Sequence, residues 1–105
     1  MDVITTYLAA HEARDLERAM PLFSPDAVVI DEGRAHHGRE AIRGWLAGAA
    51  SEFTWTTTLV SLVALDEARY DALNHLEGDF PGGVVDLHFR FTLADGLIKR
   101  LVIEP

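Results

Sequence analysis

Four polar side chains stand in this sequence where a plain hydrophobic core would want none. Tyr7 and His11 lie one helical turn apart, on the stripe that Val3, Ile4 and Leu8 also mark. Asp31 closes a short β-rich run, Ala27-Val28-Val29-Ile30-Asp31. Asn74 shares one face of a later strand with Tyr70, Ala72, Leu76 and Phe80. An ionised carboxylate taken out of water is expensive, so an inward-facing Asp31 needs a hydrogen-bonding partner or a chemical task. Each residue also has a plainer reading. Asp31 could end its strand in solvent, Tyr7 could be an amphipathic core residue, His11 a satisfied or surface histidine, and Asn74 a partner for backbone groups at a bulge.

Other chemistries find little support. His36-His37, with Asp31 and Glu32 nearby, has metal-binding residue types, but adjacent side chains on a loop diverge and the helical HExxH spacing is absent. A solvated loop is the expectation there, with no metal and no cofactor. The chain has no cysteine, which removes disulfides and thiolate chemistry. It also lacks GxSxG, a Walker-type loop and GxGxxG. Trp45 and Trp55 read as core or pocket wall. The net charge is −8 and Lys plus Arg total nine, which argues against nucleic acid or an anionic membrane as partner. The first twenty residues carry no signal-peptide pattern, and no apolar run approaches the roughly 20 residues of a membrane span. A cytoplasmic location follows by default.

The elements that must position the polar set can be read along the chain. Residues 2–14 predict a helix, and Asp15 can cap a shorter one through Leu16, Ala19 and Met20 towards Phe23, limited by Pro21 and Pro25. The run ending at Asp31 predicts a strand, 33–38 a polar loop, and Gly38 the start of a third helix with Ala41, Ile42, Trp45 and Leu46 on its apolar face. Four long β runs follow: 53–65, 68–80, 84–93 and 97–103, the last pair joined at Asp95-Gly96, a strong hairpin signal. Thirteen extended residues would span about 43 Å, more than the roughly 35 Å width of a 105-residue domain. Such strands must curve, with bulges, and the helices must close the concave face. One α+β domain over 1–105 is expected, with a strongly curved, mainly antiparallel mixed sheet and a cone-shaped pocket. Val85, Leu87, Phe89, Phe91 and Leu93 form the inward face of their strand.

The stretch YLAAHEARDLERAMPLFSPDAVVID, the Gly-Arg-Glu-Ala-Ile helix start and the ending HFRFTLADGLIKRLVIE resemble nuclear transport factor 2-like proteins over nearly the whole chain. Within that superfamily the pattern is most similar to ketosteroid isomerases and SnoaL-like polyketide cyclases. The resemblance implies Asp31 as catalytic base and Tyr7 as a donor to an oxyanion. A second oxyanion donor would fall at Leu87, which cannot donate; Asp86 is one residue away and so on the opposite face. Asn74 or His11 could substitute. The reading is a small apolar-ligand pocket protein catalysing isomerase- or cyclase-type proton transfer on a carbonyl compound. His11, Trp45, Asn74, Leu87, Phe89 and Phe91 would bind the substrate. The alternatives are a non-catalytic binding module and a structural dimerisation domain. A homodimer through the convex face is expected, because the core is small and the 53–65 run carries apolar residues on both faces.

Overall fold

The computed structural model describes residues 2–52 and 54–105, with the side chains of 2 and 49–52 excepted. Helix α1 (Asp2–Ala13) forms on the expected apolar stripe, burying Ile4, Tyr7 and Ala10. It ends where Arg14 turns left-handed (φ 56°), with Arg14 N donating to His11 O at 3.2 Å and Asp15 N to Ala10 O at 2.8 Å. That pair of bonds satisfies two carbonyls of the last turn. Asp15 then caps α2 (Leu16–Ala19), its carboxylate accepting from the Arg18 amide at 3.1 Å. A single 3₁₀ turn over Met20–Leu22, with Pro21 at its start, leads into the sheet.

Strand β1 (Phe23–Asp31) starts earlier than predicted, at Phe23, and its alternation buries Phe23, Ala27 and Val29. The predicted loop 33–38 is instead a short strand, β2 (Arg34–His37), paired antiparallel to β1. Glu32 and Gly33, both at positive φ (54° and 74°), make the two-residue turn between them. Arg-Ala-His-His gives no apolar alternation, so that edge strand left no pattern to read. Helix α3 (Gly38–Glu52) follows, burying Ile42 and Leu46, while Ala41, expected on the apolar face, is exposed.

The long runs become β3 (Trp55–Ala64), β4 (Arg69–Gly78), β5 (Val84–Ala94) and β6 (Leu97–Glu104). Phe53, expected to begin the third strand, lies outside the described residues. The strands form one open mixed sheet in the order β2-β1-β6-β5-β4-β3, with β1 and β6 parallel and the other pairs antiparallel. Register shifts between Leu59 and Ser61 and between Thr92 and Leu93 bend it. Ten extended residues would reach about 33 Å, and the molecule measures 36 × 29 × 24 Å. The turn at Asp95 and Gly96 has both residues at positive φ, as the sequence predicted.

The two faces of the sheet differ sharply. Ala72, Asn74 and Leu76 on β4 and Phe89 and Phe91 on β5 are buried under the helices. The other face carries an ionic ladder. His75 bonds Asp86 at 2.5 Å and Glu77 at 2.9 Å; His88 bonds Asp71 at 2.9 Å; Arg90 pairs with Asp71 and Glu104. Asp86 is therefore committed outward, as its strand parity requires.

Gly78 ends β4 where the chain allows no side chain. A Cβ there would collide with the Thr54 carbonyl oxygen, Trp55 Cβ at 2.8 Å and the Phe80 ring at 2.9 Å. Two of these three are backbone or Cβ atoms and cannot swing away. Gly78→Ala is therefore expected to lower unfolding free energy by about 2 kcal/mol. Urea denaturation followed by circular dichroism checks this, and an unchanged midpoint would contradict the close approach.

Candidate functional site

Tyr7 is the hub of the buried aromatic cluster. Its ring meets Phe23 at 5.5 Å and Phe91 at 5.7 Å, both edge-on, and His11 at 5.9 Å one turn further along α1. His11 in turn lies 5.4 Å from Phe89 and 5.5 Å from Trp55. Helix α1 thus places both polar rings on the concave face, as their spacing predicted. Tyr7 Oη, His11 Nδ1, Trp55 Nε1, Thr57 Oγ1 and Asn74 Nδ2 are all buried with no hydrogen-bond partner in the protein. Five such atoms around one cluster is a high density, because folded proteins pair nearly all buried polar groups.

Asp31 sits at the end of β1, half-buried, with Trp45 Nε1 of α3 donating to its Oδ2 at 3.0 Å. Burial raises its pKa above the ordinary value, and the neighbouring Glu32 charge adds to this. The Trp45 hydrogen bond, His36 and the Glu32 backbone work the other way. Tyr7 is pushed far above the ordinary phenol range, first by complete burial and then by the Asp31 charge. His11 is lowered to about 4, chiefly by burial, with Glu12 raising it and Arg14 lowering it, so its ring is neutral at pH 7. The arrangement offers a carboxylate of raised basicity, a phenol that stays protonated, and a neutral imidazole.

A cavity of about 260 Å³ opens between the helices and the start of β3. Its wall is made by Ala10, His11 and Arg14 of the α1 end, Asp15 at the α2 cap, Leu16 and Ala19 of α2, Trp45, Leu46 and Ala47 of α3, and Trp55. Of the residues expected to bind a ligand, His11 and Trp45 stand on this wall. Leu87, Phe89, Phe91 and Asn74 do not. They face inward as predicted, but Phe89 and Phe91 are buried by His11 and Tyr7 and so fill the space that the sequence suggested was open. Asn74 is buried opposite half-buried Leu87 on the neighbouring strand. Tyr7 and Asp31 also lie off the wall. Trp45 links Asp31 to the cavity, one side of its indole bordering the space and its Nε1 on the carboxylate.

Sequence reasoning missed Arg14 and gave Trp55 no definite place. The Arg14 guanidinium lies 4.3 Å over the Trp55 ring and donates to Trp55 O at 2.7 Å and Glu12 O at 3.2 Å. The sequence placed Arg14 in the last turn of a helix over 2–14, off its apolar stripe, whereas the helix ends at Ala13 and Arg14 turns left-handed. Among the described residues no group of three or more His, Cys, Asp or Glu could hold a metal ion, and His36 instead stacks on Trp45 at 6.0 Å.

The sequence matches the SnoaL-like domain family over residues 4–101, and the chain belongs to that family. Among solved structures it is similar to a candidate polyketide cyclase of Sinorhizobium meliloti, with 33% identity over 99% of this chain and 94% of that one, at TM-score 0.94. A Mycobacterium tuberculosis protein solved in complex with estradiol-17β-hemisuccinate shares the fold at 18% identity, over 98% of this chain and 90% of that one, TM-score 0.82. A Catenulispora acidiphila protein with a ketosteroid isomerase-like fold, in complex with trimethylamine, is 18% identical over 98% of this chain and 84% of that one, TM-score 0.86. No curated protein matches the sequence. Among the described residues no helix is long and apolar enough to cross a membrane.

The raised pKa of Asp31 has a thermodynamic sign. A carboxyl group that ionises less readily in the folded state penalises folding once pH exceeds its folded pKa, and the penalty disappears as pH falls below its unfolded pKa. Asp31→Asn is therefore expected to stabilise the fold at pH 7. The gain is about 0.5 kcal/mol, a reduced figure because the group keeps part of its solvent contact. It should fade to nothing near pH 3. Thermal melts of both proteins across that range check it; a lower melting temperature for the variant at pH 7 would mean that the Trp45 bond outweighs desolvation.

Proposed function

We propose that this chain binds a small, largely apolar carbonyl compound and moves a proton at the carbon beside the carbonyl, as an isomerase or cyclase does. One observation carries the reading: a carboxylate of raised basicity, held through one oxygen by Trp45, bears with its charge on a buried tyrosine hydroxyl that has no protein partner. Asp31 takes the proton from carbon and becomes the carboxylic acid. Tyr7, fully protonated, donates a hydrogen bond to the enolate oxygen that develops. The same proton returns from Asp31 to a different carbon in an isomerisation; in a cyclisation the enolate carbon attacks a second carbonyl carbon of the same molecule, whose C=O π bond opens and whose oxygen takes the proton from Asp31. His11 and Asn74 orient the substrate, and burial makes every one of these polar contacts stronger than it is in water. The chemistry uses no cofactor. The family membership and the likeness to a candidate polyketide cyclase support this reading.

Asp31 and Tyr7 lie off the cavity wall, and Trp45 is the wall residue that touches Asp31. That same fact favours a second reading, a binding module that holds an apolar ligand with no chemistry. Deuterium exchange into 2-tetralone, a two-ring ketone with acidic α-hydrogens, separates the two. The wild-type protein is expected to accelerate exchange, Asp31→Asn to abolish it, and Tyr7→Phe to slow it by about 10²-fold. Trp45→Phe removes a bond that lowers the Asp31 pKa, so the acidic limb of the rate profile should move to higher pH. Saturable binding of 2-tetralone without exchange would leave only the binding module.

The domain is proposed to work as a homodimer. Leu59, Val60, Val63 and Leu65 are exposed along β3 and just beyond it, and Val84 is exposed at the start of β5. Val63 shares the outward face with the ionic ladder, opposite Asp71. Light scattering on a sizing column is expected to report twice the 11.6 kDa chain mass at tens of micromolar; a monomer there would contradict the dimer.

A further inference from the structure

The cavity wall holds a cation at the end of α1. Arg14 occupies the left-handed position after α1, where glycine is the usual occupant and a side chain is strained. Its guanidinium is pinned over the Trp55 ring and by two main-chain carbonyls. Those contacts use two of its five N–H donors, on Nη1 and Nη2. Among the described residues it forms no ion pair with any carboxylate. The nearest acids are occupied elsewhere: Glu12 accepts from the Thr57 amide at 2.8 Å, and Asp15 caps α2. On the same wall, Trp55 Nε1 and His11 Nδ1 are buried without partners. The imidazole is neutral at pH 7, so Arg14 is the positive group on the wall; the one carboxylate there, Asp15, is engaged in capping α2, and the rest of the lining is largely apolar.

Of the three non-glycine residues at positive φ, Arg14, Glu32 and Asp95, Arg14 is the one on the cavity wall. We infer that the cavity takes a carboxylate-bearing aromatic or alicyclic compound, whose acid group is held by Arg14 while its ring system lies between Trp45 and Trp55. A free guanidinium edge meets a carboxylate with parallel N–H bonds, and Trp55 Nε1 can give a further bond to the same group. The size agrees. An apolar cavity of about 150 Å³ accepts one benzene ring, so the volume of about 260 Å³ suits two fused rings and is tight for a four-ring steroid. The chain as a whole carries a charge of −8, which repels anions, so acceptance of an acid has to come from a local cation. This inference rests on the cavity being the ligand site proposed above and adds the charge and size of what enters it.

Both tryptophans of the chain stand on the wall, so their fluorescence reports occupancy directly. The test titrates 2-naphthoate against its neutral analogue 2-acetylnaphthalene. Wild-type protein is expected to bind the acid at least about tenfold more tightly, as charge-assisted bonds imply, with the preference shrinking between 50 mM and 500 mM salt at constant pH, roughly as screening increases. Arg14→Gln should erase the preference, read as the ratio of the two affinities so that any loss common to both probes cancels. Should that variant fail to fold, Arg14→Lys keeps the charge without the planar fork and should retain only part of the preference. Equal affinity of wild-type protein for the two probes overturns the carboxylate assignment and leaves the cavity as a ligand site. A preference that survives intact in Arg14→Gln overturns that assignment as well. Saturable binding of neither probe overturns the cavity reading itself, and this inference with it.

Discussion

Edge-on packing of Tyr7 against Phe23 and Phe91 joins helix α1 to β1 and β5, the two strands that flank β6. Those contacts place a helix across the concave face and so determine which groups end up inside. A tyrosine in this position supplies the bulk that the core needs, and it brings a hydroxyl into a region with no protein group to receive it. His11, one turn on, repeats the pattern with Phe89. The polar atoms of the site are therefore a by-product of the same rings that hold the fold together. Their unpaired state is tolerated because the surrounding hydrophobic burial is worth several kcal/mol.

Asp31 is tied into this arrangement through Trp45 and not through α1. One hydrogen bond connects the end of β1 to the middle of α3, and it fixes a carboxylate oxygen and an indole ring together. The indole then forms part of the cavity wall. A change in the cavity that moves Trp45 also changes the environment of Asp31.

Strand parity and turn chemistry made most of the fold legible. Alternation placed Phe89, Phe91, Ala72 and Asn74 inward, Asp95-Gly96 marked its hairpin, and Asp15 marked its helix start. The short strand Arg34–His37 was not legible, because an edge strand with no buried face has no alternation to show. Glu32 in a left-handed turn carries no sign of it either. Of the candidate site, the inward facing of its side chains was legible and the shape of the cavity was not. Periodicity says which face a side chain occupies, and it does not say whether a neighbour from another element fills the space beside it. Phe89 and Phe91 illustrate this, being correctly oriented yet covered by His11 and Tyr7. Arg14 shows the opposite failure: its position depends on how a helix ends, and its partner Trp55 lies 41 residues away.

The sheet is open, so β3 leaves one side of its backbone without a neighbouring strand. Untreated, such a border invites strand-by-strand growth into fibres. The shift between Leu59 and Ser61 interrupts it, pushing the exposed Val60 out of the regular ladder near the middle of the strand. A second chain laid along this border would find matching backbone for only about four or five residues before the spacing failed. The irregularity that helps the sheet curve around its core thus also makes the domain a poor template for amyloid, and it leaves broad face-to-face contact as the easier route to self-association.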